Sequence, residues 1–456
     1  MNNYKIILIA CSAVFLMALS GCSKLLEVET PRNQLTTDKV FADSLSAISA
    51  LGNVYYTLAN GLNTNYNKYI SLYTDEYGYT ALNEEFYDGR LSANNGTNTN
   101  IWSTFYEIIY SCNDILERAS DSDVLNEKTK NMLINEVKFV RAFCYYHLYT
   151  LYENIPLLLT TDVDENRTAS QVDSVGVFSQ IMADLTDAKK GLSADYPSGD
   201  KVRANRWSAC ALLAQVYLYQ QRWQEAFDEA DAVLNSGMYT PVNDIDDVFL
   251  ANSRETILQL WRLNGFISDA STLIPSSRTS LPRFIVTDAL YAAFENDDLR
   301  QRTWLGKNDV TTNGATQSYW FPYKYKNRSA SNTTPEYLVV LRASEQYLVR
   351  AEAKAHLEDT EGAIADLNVV RARAGLTNLA DDMDKASCLE AIYQERRVEL
   401  FGEWAKRFVD LKRIGRLNAV MGAYKETWVD GESGRLPIPA SELTYNTNLV
   451  QNEGYH

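Results

Sequence analysis

The chain has 456 residues, of which 46% are hydrophobic, and it carries 43 Lys and Arg against 59 Asp and Glu, for a formal net charge of −16. Its length and apolar content suffice for a large hydrophobic core. The acidic balance argues against nucleic-acid binding, because that binding depends on neutralising phosphates with basic side chains.

The amino terminus has the pattern of an export signal. MNNYK supplies a weakly basic start, an apolar run follows, and the sequence LSGC at residues 19–22 resembles the lipobox of bacterial lipoproteins. The apolar run is too short for a permanent membrane-spanning helix. We therefore predict a lipoprotein signal peptide at residues 1–21, lipidation of Cys22, and a lipid anchor and tether over residues 22–40. An ordinary secretory signal with an incidental cysteine is the alternative.

Helical periodicity dominates the rest of the chain. Apolar residues recur at helical spacing over about residues 41–60, 102–235 and 342–416. Two segments also repeat one order of small residues, so that Ala214 and Ala226 recur as Ala351 and Ala363. Small residues allow antiparallel helices to pack closely, as in tetratricopeptide units. We predict a mainly α fold, a tetratricopeptide-like scaffold of helical hairpins, within a single body over residues 41–456.

Two stretches break this pattern, at about residues 61–101 and 237–341. Both combine turn residues with many aromatic side chains, and the second also contains short alternating runs typical of strands. Long irregular segments inside an ordered helical protein are often functional loops. We therefore predict that these stretches form a loop-rich, irregular ligand region.

The segment from Tyr393 to Arg413 places ten charged residues among large apolar side chains. Its spacing predicts one continuous helix, which begins with a capping box at residues 387–390 and ends before Gly415. The charges recur along one side of that helix. We interpret them as part of the scaffold, because clustered charges alone are a poor signal of catalysis.

The sequence contains no motif that activates a nucleophile or binds a catalytic metal. HExxH, a phosphate-binding loop and GxSxG are all absent, and the three histidines have no metal-ligand spacing. The cysteines after residue 22 are scattered along predicted helices, which favours buried apolar positions over disulfides. They are Cys112, Cys144, Cys210 and Cys388.

Several segments in order resemble the SusD/RagB family of outer-membrane lipoproteins of Bacteroidetes. They are the lipobox, INEVKFVRAFCYYHLYTLYENIPLL, VVLRASEQYLVRAEAKA, LNVVRARAGL, ERRVELFGEWAKRFVDLKR and LPIPASELTYNTNLVQNEGY. One departure is Gly402-Glu403, which reverses the family's commoner Glu-Gly order. The resemblance implies a tetratricopeptide-like helical scaffold, anchored in the outer membrane and facing outward. It also implies a non-catalytic protein that captures oligosaccharide and delivers it to a SusC-like TonB-dependent transporter.

A glycan site needs aromatic rings for the apolar faces of sugars and polar side chains for their hydroxyls. The predicted stacking platforms are Tyr87, Trp304 and Trp320, followed by Tyr77, Tyr79 and Tyr319. The predicted polar contacts are Asp75, Asn83, Arg90 and Asn313.

Two other functions stay open at this point. A tetratricopeptide-type adaptor would use the loop aromatics as anchors for a protein partner. An anchored glycoside hydrolase would need two carboxylates in one cleft, and its candidates are Asp75, Glu76, Glu84 and Glu85. No cofactor is predicted, although the acidic turn at residues 295–298 weakly permits a calcium ion.

Overall fold

The computed structural model describes residues 43–329 and 334–455. The predicted signal peptide, Cys22 and the tether to residue 40 lie outside the described residues. The helices are α1 Ser44–Gly61, α2 Asn63–Tyr73, α3 Glu85–Asp88, α4 Gly96–Asp121, α5 Glu127–Tyr152, α6 Val163–Arg167, α7 Ser174–Gly191, α8 Arg206–Tyr219, α9 Trp223–Asn235, α10 Ile267–Leu273, α11 Asp288–Tyr291, α12 Leu299–Trp304, α13 Ala343–His356, α14 Thr360–Arg373, α15 Lys385–Leu400, α16 Lys406–Arg413, α17 Leu417–Tyr424 and α18 Ala440–Tyr445.

The strands are short and pair in twos within the described residues. They are β1 Tyr77–Tyr79, β2 Ile155–Pro156, β3 Gln171–Val172, β4 Thr256–Leu260, β5 Phe284–Val286, β6 Leu305–Thr312, β7 Ala315–Pro322 and β8 Leu338–Arg342. β1 pairs with β5, β2 with β3, β4 with β8, and β6 with β7, all antiparallel. Helices therefore make the frame, and the small sheets join loops to it.

Helical hairpins form the scaffold. α4 packs against α5, and α5 against α7. Asparagines begin both long helices, because the Asn95 side chain accepts a hydrogen bond from the backbone N–H of Asn98 at 3.0 Å and Asn126 accepts one from Thr129 at 2.9 Å. Almost the whole second half of α5 is buried, which makes it the central helix of this part of the core.

The repeated small residues form the contact between two further hairpins. α8 packs on α9, α13 packs on α14, and α9 packs against α13. Ala214, Ala226, Ala230 and Ala353 lie in one buried cluster between these helices. Their small side chains let the backbones approach, as in stacked helical repeats. The prediction of a mainly α, tetratricopeptide-like fold is confirmed.

Two details of the predicted layout are wrong. Residues 63–73, predicted to be irregular, form α2, whose Tyr66, Ile70 and Tyr73 are buried at helical spacing. The predicted continuous helix over Tyr393–Arg413 is instead two helices. α15 ends at Leu400 and α16 begins at Lys406.

The break between α15 and α16 has a backbone cause. Gly402, Trp404 and Ala405 have φ values of 71°, 36° and 56°, which a right-handed helix cannot contain. The Trp404 indole N–H donates to the Val339 carbonyl at 2.8 Å and holds the turn in the core. The capping residue of α15 also differs from the prediction, since Asp384 accepts from the Ser387 N–H at 2.9 Å.

A network of buried charges joins the second half of the chain. We call it the ionic cluster, and its members, all buried, are Glu255, Arg300, Lys324, Arg342, Arg373, Glu395, Glu399 and Glu403. Glu399 lies at its centre, 2.5 Å from Arg342 and 2.5 Å from Arg373. Burial alone would raise the pKa of Glu399, but the charges of the three arginines outweigh it and hold that pKa well below its usual range. The charges of the 393–413 segment that lie in this cluster thus serve the scaffold.

The prediction for the cysteines can be compared with the described residues. Cys112, Cys144, Cys210 and Cys388 are buried and free, as expected of small apolar positions. Among the helices of residues 43–329 and 334–455, none combines the length and the apolar character that a membrane crossing demands.

Candidate functional site

The strand pair β1–β5 is the base of the candidate site. Gly78 lies opposite Ile285 in the register, and the alternation of side chains puts both on the same side of the pair. A Cβ added to Gly78 would lie 2.9 Å from the Ile285 side chain and 3.9 Å from the ring of Tyr87. A side chain at Gly78 would therefore press against Ile285, whereas the Tyr87 ring lies at ordinary contact distance from this position.

Tyr87 belongs to the short helix α3 and is 38% exposed. Lys425, just after α17, fixes its backbone by donating to the carbonyls of Phe86 at 3.0 Å and Tyr87 at 2.7 Å, and to that of Leu72. Burial lowers the pKa of Lys425 to about 7. The neighbouring Tyr424 is exposed, and its pKa is raised to about 12 by burial and by the nearby Tyr87. Two tyrosine rings thus share this part of the surface.

Tyr79 and Arg283 lie at the other end of the strand pair. The Arg283 Nε–H donates to the Tyr79 hydroxyl at 2.7 Å, and the Tyr79 ring packs on Phe284 with centroids 5.3 Å apart. Tyr79 is half-buried and Arg283 is exposed. This hydrogen bond raises the pKa of Arg283. The guanidinium, which is charged at any physiological pH, is exposed and available to a polar ligand.

Trp320 forms a stacked pair beside this strand pair. Its ring and that of Tyr291 have centroids 4.9 Å apart and planes inclined by 31°. Lys307, its partner across the hairpin, holds its ammonium 5.9 Å from the Trp320 centroid. β7 packs against β5, so the Trp320–Tyr291 pair lies near the strand pair. We call these residues around the strand pair the aromatic face, and its members are Tyr79, Tyr87, Arg283, Tyr291, Trp320 and Tyr424. Strand alternation puts the Tyr79 ring on the side of β1 opposite Gly78 and Tyr87, so the face wraps around the strand pair.

Three predicted contacts are wrong because the structure buries them. Trp304 has 0% exposure and donates its indole N–H to the Ile245 carbonyl at 3.3 Å, so it cannot offer a face to a sugar. Tyr77 is buried beside a small internal cavity of about 30 Å³. Asp75 is buried, and both its oxygens are taken by Arg407, at 2.8 Å each.

The other predicted residues are exposed or half-buried but are not all on the aromatic face. Asn313 has φ 53° and forms the tip of the β6–β7 hairpin with Gly314. Tyr319 donates to Gln317 at 2.9 Å, and strand alternation puts it on the face of β7 opposite Trp320. Asn83 and Arg90 are exposed on either side of α3. Their roles in binding stay predictions.

The carboxylates considered for hydrolysis have structural contacts. Glu84 caps α3 by accepting from the Phe86 N–H at 3.4 Å, and Glu85 accepts from the Ser92 N–H at 2.8 Å. Glu76 is buried, and that burial raises its pKa to about 7. Glu84 and Glu85, like Asp75, therefore serve local structure, and Glu76 is enclosed in the protein.

The acidic turn that suggested calcium is neutralised by arginines. Glu295 lies 2.5 Å from Arg371, Asp298 lies 2.8 Å from Arg300, and Asp297 pairs with Arg302. Within residues 43–329 and 334–455, no three His, Cys, Asp or Glu side chains come together as metal ligands would.

Sequence reasoning missed Arg283, Tyr291 and Tyr424. Tyr79 and Arg283 are 204 residues apart in the chain, so only the β1–β5 pairing brings them together. The turn residues before β5 were the one available signal that this segment returns to the irregular region.

Comparisons with known proteins identify relatives over most of the chain. The family model described as "SusD family" matches residues 216–455, and one described as "Starch-binding associating with outer membrane" matches residues 24–218. SusD-like protein P25 of Formosa agariphila is 26% identical over 95% of this chain and 97% of its own. Starch-binding protein SusD of Bacteroides thetaiotaomicron is 30% identical, over 32% of this chain and 26% of its own.

Solved structures share the fold. A laminarin-binding SusD-like protein superposes with a TM-score of 0.77 at 26% identity, over 91% of this chain and all of the other (100%). A SusD superfamily protein from Parabacteroides distasonis superposes with a TM-score of 0.78 at 21% identity, over 92% of this chain and 100% of that one. At that lower identity the likeness establishes the fold alone.

Proposed function

Because this chain belongs to the SusD family, we propose that it is a non-catalytic, cell-surface lipoprotein that binds oligosaccharide and passes it to a TonB-dependent outer-membrane transporter. The family is one of starch- and glycan-binding proteins associated with the outer membrane. A relative in this family binds laminarin, as its name states. The glycan that this chain takes is therefore sought first among β-glucans and starch.

The aromatic face is the observation that carries this proposal. Sugars present apolar C–H faces and a ring of hydroxyls, so they bind where exposed aromatic rings adjoin directional polar groups. The rings of Tyr87 and Trp320 supply the stacking surfaces, and Arg283 beside Tyr79 supplies a fixed donor. Because Tyr291 and Lys425 hold these groups in position, their side chains lose little conformational entropy when a ligand binds.

Calorimetry and affinity electrophoresis test the binding step. We expect the protein to bind laminarin or soluble starch within a panel that also contains xylan, mannan and pectin. Tyr87→Ala and Trp320→Ala should each weaken that binding about tenfold, which corresponds to roughly 1.4 kcal/mol. Tyr56→Ala is the matched control, since Tyr56 is 59% exposed on α1 and outside the aromatic face. Equal affinity for all variants would contradict a site at the aromatic face.

An assay for reducing ends tests the absence of catalysis. The carboxylates near the aromatic face cap a helix, accept backbone hydrogen bonds, pair with arginine or are buried, which favours binding without cleavage. We expect no new reducing ends after long incubation with a bound glycan. Product that disappears in Glu84→Gln would instead identify a hydrolase.

Anchoring and transfer are tested in the membrane. We expect Cys22→Ser to release the protein from the outer membrane and to abolish incorporation of labelled fatty acid. A TonB-dependent transporter should co-purify with the anchored protein. Co-purification with no affinity for any glycan of the panel would favour a protein-binding adaptor instead.

A further inference from the structure

A second pocket, of about 160 Å³, opens between α4, α6 and α18. Its walls include Trp102 and Tyr106 of α4, Arg167 at the end of α6, and Glu442 and Tyr445 of α18. None of these five residues belongs to the aromatic face. We call this cavity the α4–α18 pocket.

The floor of the pocket is aromatic and fixed. The rings of Trp102 and Tyr106, one helical turn apart, have centroids separated by 4.9 Å. Trp102 also packs edge-to-face on Tyr152, with centroids 4.9 Å apart, and the Tyr106 hydroxyl donates to the Pro156 carbonyl at 2.9 Å. Trp102 is itself buried, at 2% exposure, so the part of the floor that a ligand can reach is the half-buried ring of Tyr106, which Trp102 holds in place.

The rim of the pocket is polar and available. Glu442 accepts a hydrogen bond from the Trp102 side chain, and partial burial raises the pKa of its carboxyl group. The Arg167 guanidinium is exposed, and its ion pair with Asp164 is long, at 3.4 Å, and hence weak. Tyr445, at the pocket, is 75% exposed, so one face of its ring is free to contact a ligand.

Volume and chemistry together define the ligand. An enclosed cavity of about 150 Å³ can hold a benzene molecule, so this pocket of about 160 Å³ has room for the ring of one sugar, with its hydroxyls reaching the rim and solvent. A purely apolar ligand would remove water from Glu442 and Arg167 without replacing its hydrogen bonds, which is costly. A sugar ring satisfies both requirements, because its C–H face suits the aromatic floor and its hydroxyls suit the rim.

We propose that the α4–α18 pocket binds a single pyranose ring of a neutral saccharide. The sugar ring lies against Tyr106, which the buried Trp102 supports, and against Tyr445, and its hydroxyls bind Glu442 and Arg167. This site is independent of the aromatic face and goes beyond the proposed function, since it gives the protein a second place to hold a glycan. Two sites on one body would raise avidity for a chain long enough to reach both.

The Trp102 indole N–H resonance provides a local test. The protein, labelled with ¹⁵N, is titrated with the methyl glycopyranosides of glucose, galactose and mannose, in both anomers, and Trp102→Phe assigns the resonance. We expect at least one glycoside to shift this resonance saturably. Tyr445→Ala and Arg167→Ala, both at exposed positions, should weaken that response about tenfold without changing the melting temperature, whereas Tyr56→Ala should leave it unchanged.

The same titration in Trp320→Ala separates this site from the aromatic face. A Trp102 shift that persists in this variant supports the pocket, even if the aromatic face binds nothing. If no glycoside shifts the Trp102 resonance, the proposed saccharide site in the pocket is refuted. If Trp320→Ala in addition abolishes glycan binding, the proposed function at the aromatic face still holds without the pocket. A shift that Tyr445→Ala and Arg167→Ala leave intact also overturns it.

Discussion

Replacing Arg342 with methionine should destabilise the protein strongly. Arg342 is buried and lies 2.8 Å from Glu255, 2.5 Å from Glu399 and 2.9 Å from Glu403. Methionine keeps an unbranched apolar chain in place of the aliphatic part of arginine, so the main effect is to leave these carboxylates without a counter-charge. Removing one partner from a buried ionic group costs about 3–5 kcal/mol, and we expect a loss of unfolding free energy in that range.

Urea unfolding followed by tryptophan fluorescence measures this loss. Arg302→Met is the matched control, because its side chain is 61% exposed and its pair with Asp297 is at the surface. That control should lose less than about 1 kcal/mol. The loss of unfolding free energy should therefore be several times larger for Arg342→Met than for Arg302→Met, although each variant removes one arginine.

The pH dependence of the Arg342→Met loss identifies its cause. Arg342 helps to hold the pKa values of Glu399 and Glu403 below their usual range against the effect of burial. Without it, those pKa values rise, and the carboxylates take up protons more readily as the pH falls. The loss should thus be larger at pH 7 than at pH 5. A loss no greater than that of Arg302→Met, or one independent of pH, would refute the role assigned to the ionic cluster.

Two further predictions concern single buried groups. Burial raises the pKa of Glu76 to about 7, whereas in the unfolded chain this group has a pKa of about 4.5. Between these two pH values the native state keeps a proton that the unfolded chain has released. The free energy of unfolding should therefore fall as the pH rises from about 4.5 to about 7. Urea unfolding at pH 5 and pH 8 measures this fall, and Glu76→Gln should reduce it by up to about 3 kcal/mol. The same difference in unfolding free energy between the two pH values in both proteins would contradict the prediction. Lys425→Met removes the ammonium group that donates to the carbonyls of Leu72, Phe86 and Tyr87 and so holds α3 in place. Trypsin should then cleave after Arg90 faster than in the control Lys190→Met, and mass spectrometry of the fragments measures the rate. Equal cleavage rates would mean that other contacts hold this loop.

The helical scaffold was predictable because its signals are local. Apolar spacing marked the long helices, and repeated small residues such as Ala214 and Ala226 marked the hairpins. The prediction failed where composition masked periodicity. α2 contains buried Tyr66 and Ile70 at helical spacing, but its asparagines and tyrosines suggested a loop. The break after Leu400 depends on backbone angles that only glycine signals in the sequence, and Gly402 alone did not outweigh the charge spacing.

The candidate site was only partly predictable because burial of an aromatic ring is decided by distant segments. Trp304 and Trp320 stand in similar sequence surroundings, yet Trp304 is enclosed by Phe249 and Phe401 while Trp320 stays partly exposed. Arg283 reaches Tyr79 only through strand pairing across 204 residues. No local pattern in a single sequence indicates a contact between segments so far apart in the chain. The predicted stacking residues therefore included both surface rings and core residues.

The ionic cluster also constrains the order in which the molecule can mature. Its cations begin at Arg300, whereas its central anion, Glu399, is made only near the end of synthesis. Until that helix is added, Arg342 and Arg373 share Glu255 as their counter-charge in the cluster and Arg300 has Asp298. Water solvates such partly paired guanidinium groups better than a dry interior does. The second half should therefore stay open during synthesis and close only when the chain is nearly complete.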